Sequence, residues 1–194
     1  MEKRAMILDG ATESGVDTRR AGDVAMDVFR RGGWRVDRLA LREVDIAPCL
    51  GCFGCWIQTP GLCVIDDAGR DVARRMAQSD VLVYLTPLTF GGYSSELKKA
   101  IDRSIPNLSP LFRTVRHEVH HVKRYARYPR LVGIAVSRDR PIDPDEEELF
   151  EAVVRRNAIN FYAPANAACL VPDGGDDEAC RRTIERTLER VIGP

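Results

Sequence analysis

Residues 81–103 read Val81-Leu82-Val83-Tyr84-Leu85-Thr86-Pro87-Leu88-Thr89-Phe90-Gly91-Gly92-Tyr93-Ser94-Ser95-Glu96-Leu97-Lys98-Lys99-Ala100-Ile101-Asp102-Arg103. The first five form an unbroken apolar run, the pattern of a strand covered on both faces, so Val81–Leu85 is expected at the centre of a parallel sheet. Pro87 and the pair Gly91-Gly92 break the run. Behind Ser94 or Ser95 as a cap, Leu97, Ala100 and Ile101 then recur at helical spacing, with Lys98, Lys99, Asp102 and Arg103 expected outward.

The same strand, loop and helix unit repeats on either side. Ala5–Leu8 leads through a small polar loop to Ala21, Val24, Ala25, Val28 and Phe29 at helical spacing, with Thr18 as N-cap and Gly32-Gly33 as the stop. Trp34 and Val36 open a second extended segment, and Val72, Ala73 and Met76 give the next helix face. Leu131–Val136 precedes a helix through Leu149, Phe150, Val153 and Val154, whose acidic run Asp143–Glu148 suits a helix N-terminus. Ala167–Val171 precedes a helix through Cys180, Ile184, Leu188 and Val191, which places Cys169 and Cys180 in the core. Five such units predict an α/β three-layer sandwich, a five-stranded parallel sheet of order 2-1-3-4-5 with helices on both faces.

With 194 residues the chain suits one domain spanning 1–194. Residues 106–129 are the exception to the rhythm, a long, basic, weakly periodic connection of the kind that is commonly functional or interface-forming. Across the whole chain 29 basic and 29 acidic side chains balance, which leaves no electrostatic footprint for nucleic acid or an anionic membrane. No segment approaches membrane-spanning length, and the start runs directly into a strand without the longer apolar stretch of a signal peptide. A cytoplasmic, reducing setting is therefore expected, where clustered cysteines more often bind metal or do chemistry than form disulfides.

Such a cluster exists. Four of the six cysteines, Cys49, Cys52, Cys55 and Cys63, fall between Ala47 and Asp67. Thiolates at this spacing suit an iron–sulfur cluster or zinc, and the same residues also read as reduced, redox-active or simply buried thiols. Trp56, beside Cys55, is placed to shield such a site. A second metal signal, His117-Glu118-Val119-His120-His121, matches the His-Glu-x-x-His pattern of helical zinc sites, but it has no third ligand in view and reads more simply as loop or subunit-contact histidines.

In an open parallel sheet, ligands bind beyond the carboxyl ends of the strands where strand order reverses. Three loops meet there. Gly10-Ala11-Thr12-Glu13-Ser14-Gly15-Val16-Asp17-Thr18 leads into a helix N-terminus that favours a phosphate. Thr86-Pro87-Leu88-Thr89-Phe90-Gly91-Gly92-Tyr93 can lay backbone and aromatic surface against a flat ring, and Pro172-Asp173-Gly174-Gly175 closes the same edge. Together they point to one nucleotide-like ligand.

On the blocks Pro48–Trp56, Thr59–Asp67 and Thr86–Gly91 with Leu97–Arg103, the chain resembles the NADPH-dependent FMN reductase and iron-sulfur flavoprotein family, over nearly its whole length. The resemblance implies a flavodoxin-like fold binding FMN, with the phosphate at Gly10, Ala11, Thr12, Ser14, Gly15 and Thr18. It places the isoalloxazine at Thr86, Pro87, Leu88, Thr89, Phe90, Gly91, Gly92 and Tyr93, and Asp173, Gly174 and Gly175 at the same site. NAD(P)H or a carrier would supply electrons to a small acceptor, either directly or through a [4Fe-4S] cluster on Cys49, Cys52, Cys55 and Cys63 near the flavin. No catalytic acid or base is named, since the cofactor carries the reactivity. A homodimer or homotetramer joined through 106–129 is also implied. One departure stands out: Glu13 lies where the family commonly has Arg, and with Asp17 it is expected to weaken phosphate binding. The alternative is a non-enzymatic electron-transfer or binding module with a weakened FMN site.

Overall fold

The apolar run at 81–85 becomes a strand over Val81–Pro87 in which every residue is buried. The structure, a computed structural model, describes residues 2–13, 16–115, 117–138, 142–174 and 176–193. In chain order the regular elements are β1 (Arg4–Asp9), α1 (Arg19–Arg31), β2 (Arg35–Ala40), the single turn α2 (Gly54–Ile57), α3 (Ala68–Gln78), β3 (Val81–Pro87) and α4 (Ser95–Arg103). There follow β4 (Leu108–Val115), β5 (Glu118–Lys123), β6 (Arg130–Ser137), α5 (Pro144–Asn160), β7 (Asn166–Pro172) and α6 (Asp177–Ile192).

The main sheet is β2-β1-β3-β6-β7, all parallel. Counting only its own strands, this is the expected order 2-1-3-4-5. Alternation along each strand sends side chains to two cores. Ile7, Val83, Ile134 and Cys169 meet Ala25 and Phe29 of α1 and Cys180, Ile184 and Leu188 of α6 on one face. Leu8, Leu82, Tyr84 and Ala135 meet Met76 of α3, Leu97 of α4 and Phe150 and Val154 of α5 on the other. Each large apolar side chain so buried contributes roughly 1.5–3 kcal/mol. The flavodoxin-like sandwich results from that division.

The helix starts reflect local chemistry. Asp67, Ser94, Asp143 and Asp176 each accept a backbone N–H from the first turn of α3, α4, α5 and α6. Thr18 differs from expectation: it holds the N-cap position of α1, but its side chain makes no capping bond. Arg103 differs too. Although it lies at the C-terminal end of α4 among outward charges, it is buried to 1% exposure.

The segment 106–129 folds further than its weak periodicity suggested. β4 and β5 pair antiparallel as a separate two-stranded ribbon between α4 and β6. Leu111, Phe112 and Val119 on it are exposed, so the ribbon lacks the apolar–polar alternation of a half-buried strand. Among the described residues no helix is long and apolar enough to cross a membrane.

Candidate functional site

At the carboxyl edge of the sheet the first two loops are tied together by one side chain. Ser94 Oγ donates to the Gly10 carbonyl (2.5 Å) and accepts the Leu97 amide (3.3 Å), while its own amide donates to Thr86 Oγ1 (2.9 Å). Gly10 has no room for a side chain, because a Cβ there would lie 2.6 Å from Leu97 Cβ and 2.7 Å from Ser94 Oγ. Arg20 joins the first loop to the third, donating to the carbonyls of Pro172 (3.0 Å) and Gly174 (2.9 Å) and to Asp177 (2.7 Å). The Asp173 amide donates to the Ser137 carbonyl at the end of β6 (2.7 Å).

Within the second loop, Thr89 and Gly92 exchange backbone hydrogen bonds across a tight turn with Phe90 and Gly91 at φ 49° and 74°. Phe90 is fully exposed at the tip. Leu88 is anchored by its amide to the Val136 carbonyl, and Thr89 Oγ1 donates to the Pro87 carbonyl. Thr86 is buried, and its hydroxyl is engaged by Pro87 and Ser94. Tyr93 packs edge-on against Tyr84 and Phe150, and its hydroxyl accepts from Asn157 Nδ2 (2.9 Å). Burial raises that hydroxyl's pKa well above the ordinary value. Thr86 and Tyr93 thus brace the loop and Gly91 is buried against Leu149, whereas Thr89 and Phe90 present its free surface.

Ser137 Oγ, at the end of β6, is buried with no hydrogen-bond partner among the described residues. A buried hydroxyl left unpaired is unfavourable by about 1–3 kcal/mol, so this edge offers an unmet polar group to a ligand. Together with the exposed Phe90 at the loop tip, it is compatible with the ring and chain of a flavin. Of the sequence-predicted residues, Gly10, Ala11, Thr12, Thr18, Thr86–Tyr93, Asp173 and Gly174 lie on the three loops; Ser14, Gly15 and Gly175 lie outside the described residues.

The phosphate end carries two residues that sequence reasoning missed. Asp9, the buried last residue of β1, accepts from the Ala11 amide (3.1 Å) and Thr18 Oγ1 (2.7 Å). Arg38, near the end of β2, donates to the same carboxylate through Nε (3.0 Å) and Nη2 (2.7 Å). The only sequence signal for this pair was an acidic residue closing an otherwise apolar strand. Asp17 turns to Arg19 (2.6 Å), which holds its carboxyl below the usual range. Glu13 lines a cleft of about 760 Å³ with Asp9, Thr12, Thr18 and Arg38.

The cysteine loop is closed at both ends by Arg103. Its guanidinium donates to the Ala47 carbonyl (2.7 Å), the Ile65 carbonyl (3.3 Å) and both Asp67 oxygens (2.7 and 2.6 Å). Asp67 in turn accepts the Ala47 amide (2.9 Å), so the two ends of the loop share one buried ion pair. Arg103 holds the Asp67 carboxyl below the usual carboxylate range. Cys49, Cys52, Cys55 and Cys63 line one cavity of about 30 Å³ with Arg103, Ile105 and Pro106. All four are free thiols, and desolvation raises Cys55. Arg103 Nε is buried there with no hydrogen-bond partner among the described residues. The chemistry of this donor set suits a sulfur-ligated group, but no three His, Cys, Asp or Glu side chains among the described residues stand at metal-holding spacing.

This cavity and the three loops are served by the two ends of α4. Ser94 and Arg103 sit at opposite ends of α4, and at 1.5 Å per residue that is about 13 Å along the axis. Trp56 covers the loop from outside, stacked on Phe53 (5.2 Å) and donating to the Leu108 carbonyl (3.1 Å). The His-Glu-x-x-His pattern falls on a turn and a strand rather than a helix, which removes the geometry its zinc reading requires. His117 has φ 68°, His120 lies between Asn160 and Glu118, and His121 faces the Ser109 carbonyl and Phe112.

A family model described as NADPH-dependent FMN reductase matches residues 4–121. An iron-sulfur flavoprotein of Methanosarcina thermophila is 28% identical over 98 residues, 50% of each chain. Another, from Methanocaldococcus jannaschii, is 30% identical over 82 residues, 42% of each. The matched stretch spans about half the length of these curated relatives or less. Among solved structures, an NAD(P)H:quinone oxidoreductase from Methanothermobacter marburgensis superposes with TM-score 0.67 at 13% identity, covering 96% of this chain and 93% of that one. An FMN-dependent NADH-azoreductase from Bacillus anthracis in complex with FMN gives TM-score 0.61 at 13% identity, covering 97% and 96%. Those likenesses carry the fold. The family match spans more than half of the sequence, and by it the chain belongs to the NADPH-dependent FMN reductase family.

Proposed function

We propose that the chain is an FMN-dependent oxidoreductase that takes electrons from NAD(P)H or a redox carrier and passes them to a small acceptor. The observation that carries this is the carboxyl edge itself, where three loops are cross-tied by Ser94 and Arg20 around the unpartnered Ser137 hydroxyl. Bound flavin supplies hydride acceptance and electron release; the protein supplies place and orientation. The exposed Phe90 and the open Gly92 backbone would meet the ring, and Tyr93, Thr86 and Ser94 hold that turn from behind. Family membership and the FMN-bound neighbour support the reading.

The test is anaerobic titration of the purified chain with FMN, followed by NADH and NADPH oxidation with FMN present. Saturable flavin binding with steady nicotinamide oxidation is expected. Binding without oxidation would favour the alternative, a non-enzymatic electron-transfer or binding module with a weakened FMN site, and no binding would overturn the oxidoreductase reading.

A second redox centre is proposed at Cys49, Cys52, Cys55 and Cys63, supported by their shared cavity beside the buried Arg103 and by the names of the curated relatives. These thiols would hold a [4Fe-4S] cluster, whose negative charge the guanidinium would offset. We also propose a homodimer or homotetramer, for which the exposed Leu111, Phe112 and Val119 of the β4–β5 ribbon are the support. A cytoplasmic setting belongs to the same proposal.

A further inference from the structure

We propose that Asp9 occupies, from within the chain, the place a ligand's phosphate takes in the first loop, so that riboflavin and FMN are held with similar affinity. This rests on the flavin reading above and names the ligand class of that same site: flavin with or without its phosphate.

A phosphate at a helix N-terminus draws on three kinds of partner: loop amides, a hydroxyl at the helix start, and a nearby cation. Here one donor of each kind is already engaged by carboxylate. The Ala11 amide and the Thr18 hydroxyl both donate to Asp9 Oδ1, so the Thr18 side chain does not cap α1, whose first amide, that of Arg19, goes to Asp17 Oδ1 (2.8 Å). Arg38 donates twice to Asp9 Oδ2, and its remaining contacts go to Asp23 (2.9 Å) and to the carbonyls of Arg19 and Thr18. The other two arginines of the loop are paired as well, Arg19 with Asp17 and Arg20 with Asp177.

The Asp9 carboxylate has four donors for its two oxygens and is 4% exposed, so it is a fully satisfied internal anion. A phosphate entering this loop would meet like charge from Asp9 and would compete for Thr18 and Ala11. The uncharged ring and ribityl chain meet no such competition at Phe90, Gly92 and Ser137. Discrimination between phosphorylated and dephosphorylated flavin is therefore removed at one end of the site, while the other end is kept.

The experiment measures dissociation constants for FMN and for riboflavin by flavin fluorescence, in the wild-type chain and in Asp9→Asn. The amide is the same size and still accepts from Thr18 and Ala11, and Arg38 retains Asp23. The expected wild-type ratio of the two constants is below ten. In Asp9→Asn, FMN should tighten at least tenfold while riboflavin changes less than threefold. A wild-type preference for FMN above tenfold overturns the inference and leaves the flavin reading standing. An unchanged ratio in the variant overturns it too. Absence of binding by either flavin overturns the flavin reading itself and this inference with it.

Discussion

Replacing Arg103 by Met should unfasten the cysteine loop and destabilise the whole chain. Arg103 is 1% exposed and Asp67 12%, so the substitution removes a buried cation and leaves a buried carboxylate with only the Ala47 and Gly69 amides. Breaking one side of such a pair is unfavourable by about 3–5 kcal/mol. For a chain of this length, at about 2–4 °C per kcal/mol, that lowers the melting temperature by roughly 6–20 °C. Urea denaturation of Arg103→Met, Asp67→Asn and the double variant should show the double variant less affected than the sum of the singles, because it leaves no unpaired charge. Asn still caps α3. The effect has a pH signature. Arg103 depresses the Asp67 carboxyl, so the pair's contribution is full above the unfolded value of about 3.9 and is lost as pH falls through the lower folded value. The stability gap between wild type and Arg103→Met should therefore narrow on acidification below about pH 4. A gap under about 1 kcal/mol at neutral pH, against the range above, or one that persists undiminished in acid, would refute the clasp.

Cys52→Ala should retain no iron after anaerobic reconstitution under conditions in which the wild-type chain takes it up, as read by iron assay and visible absorption. Its FMN dissociation constant should stay within about twofold of wild type, since sites more than about 10 Å apart without shared partners act independently. Ser94→Ala loses both the cap on α4 and the bond to the Gly10 carbonyl, a loss of about 1–3 kcal/mol in chemical denaturation, together with weaker flavin binding. Gly10→Ala forces a Cβ to 2.6 Å from Leu97 Cβ and should destabilise by about 1–3 kcal/mol; an unchanged melting temperature would show that α4 can yield there.

Local repetition is what made parts of the fold readable from the sequence. β3, its loop and α4 were legible because a strand buried on both faces is a continuous apolar run, and because Gly91-Gly92 marks the loop and Ser94 the start of the helix. The β4–β5 ribbon was not legible, since its apolar residues Leu111, Phe112 and Val119 face outward and obey no burial period. Arg103 shows the opposite failure. At the last turn of a helix an arginine normally reads as solvated charge that complements the dipole. Its partner Asp67 lies 36 residues away, and only the folded chain reveals that the two meet. Asp9 and Arg38, 29 residues apart on neighbouring parallel strands, escaped for the same reason. From sequence, Glu13 and Asp17 are expected to weaken phosphate binding; the buried Asp9 carboxylate at the end of β1 is a third acidic group beside that loop.

α4 joins the two candidate redox sites, because its two ends serve different chemistry. Its N-terminal Ser94 ties together the loops of the proposed flavin edge, and its C-terminal Arg103 closes the cysteine loop. A helix is stiff along its axis, so its two ends are held about 13 Å apart within one chain whatever either site binds. If the two sites exchange electrons, transfer either runs along α4 within one chain or uses a second copy. Leu50, Phe53 and Ile57, exposed on the cysteine loop, face outward where another chain would have to approach. Electron transfer that slows on dilution would favour the second copy, and a rate independent of concentration would favour the path through α4.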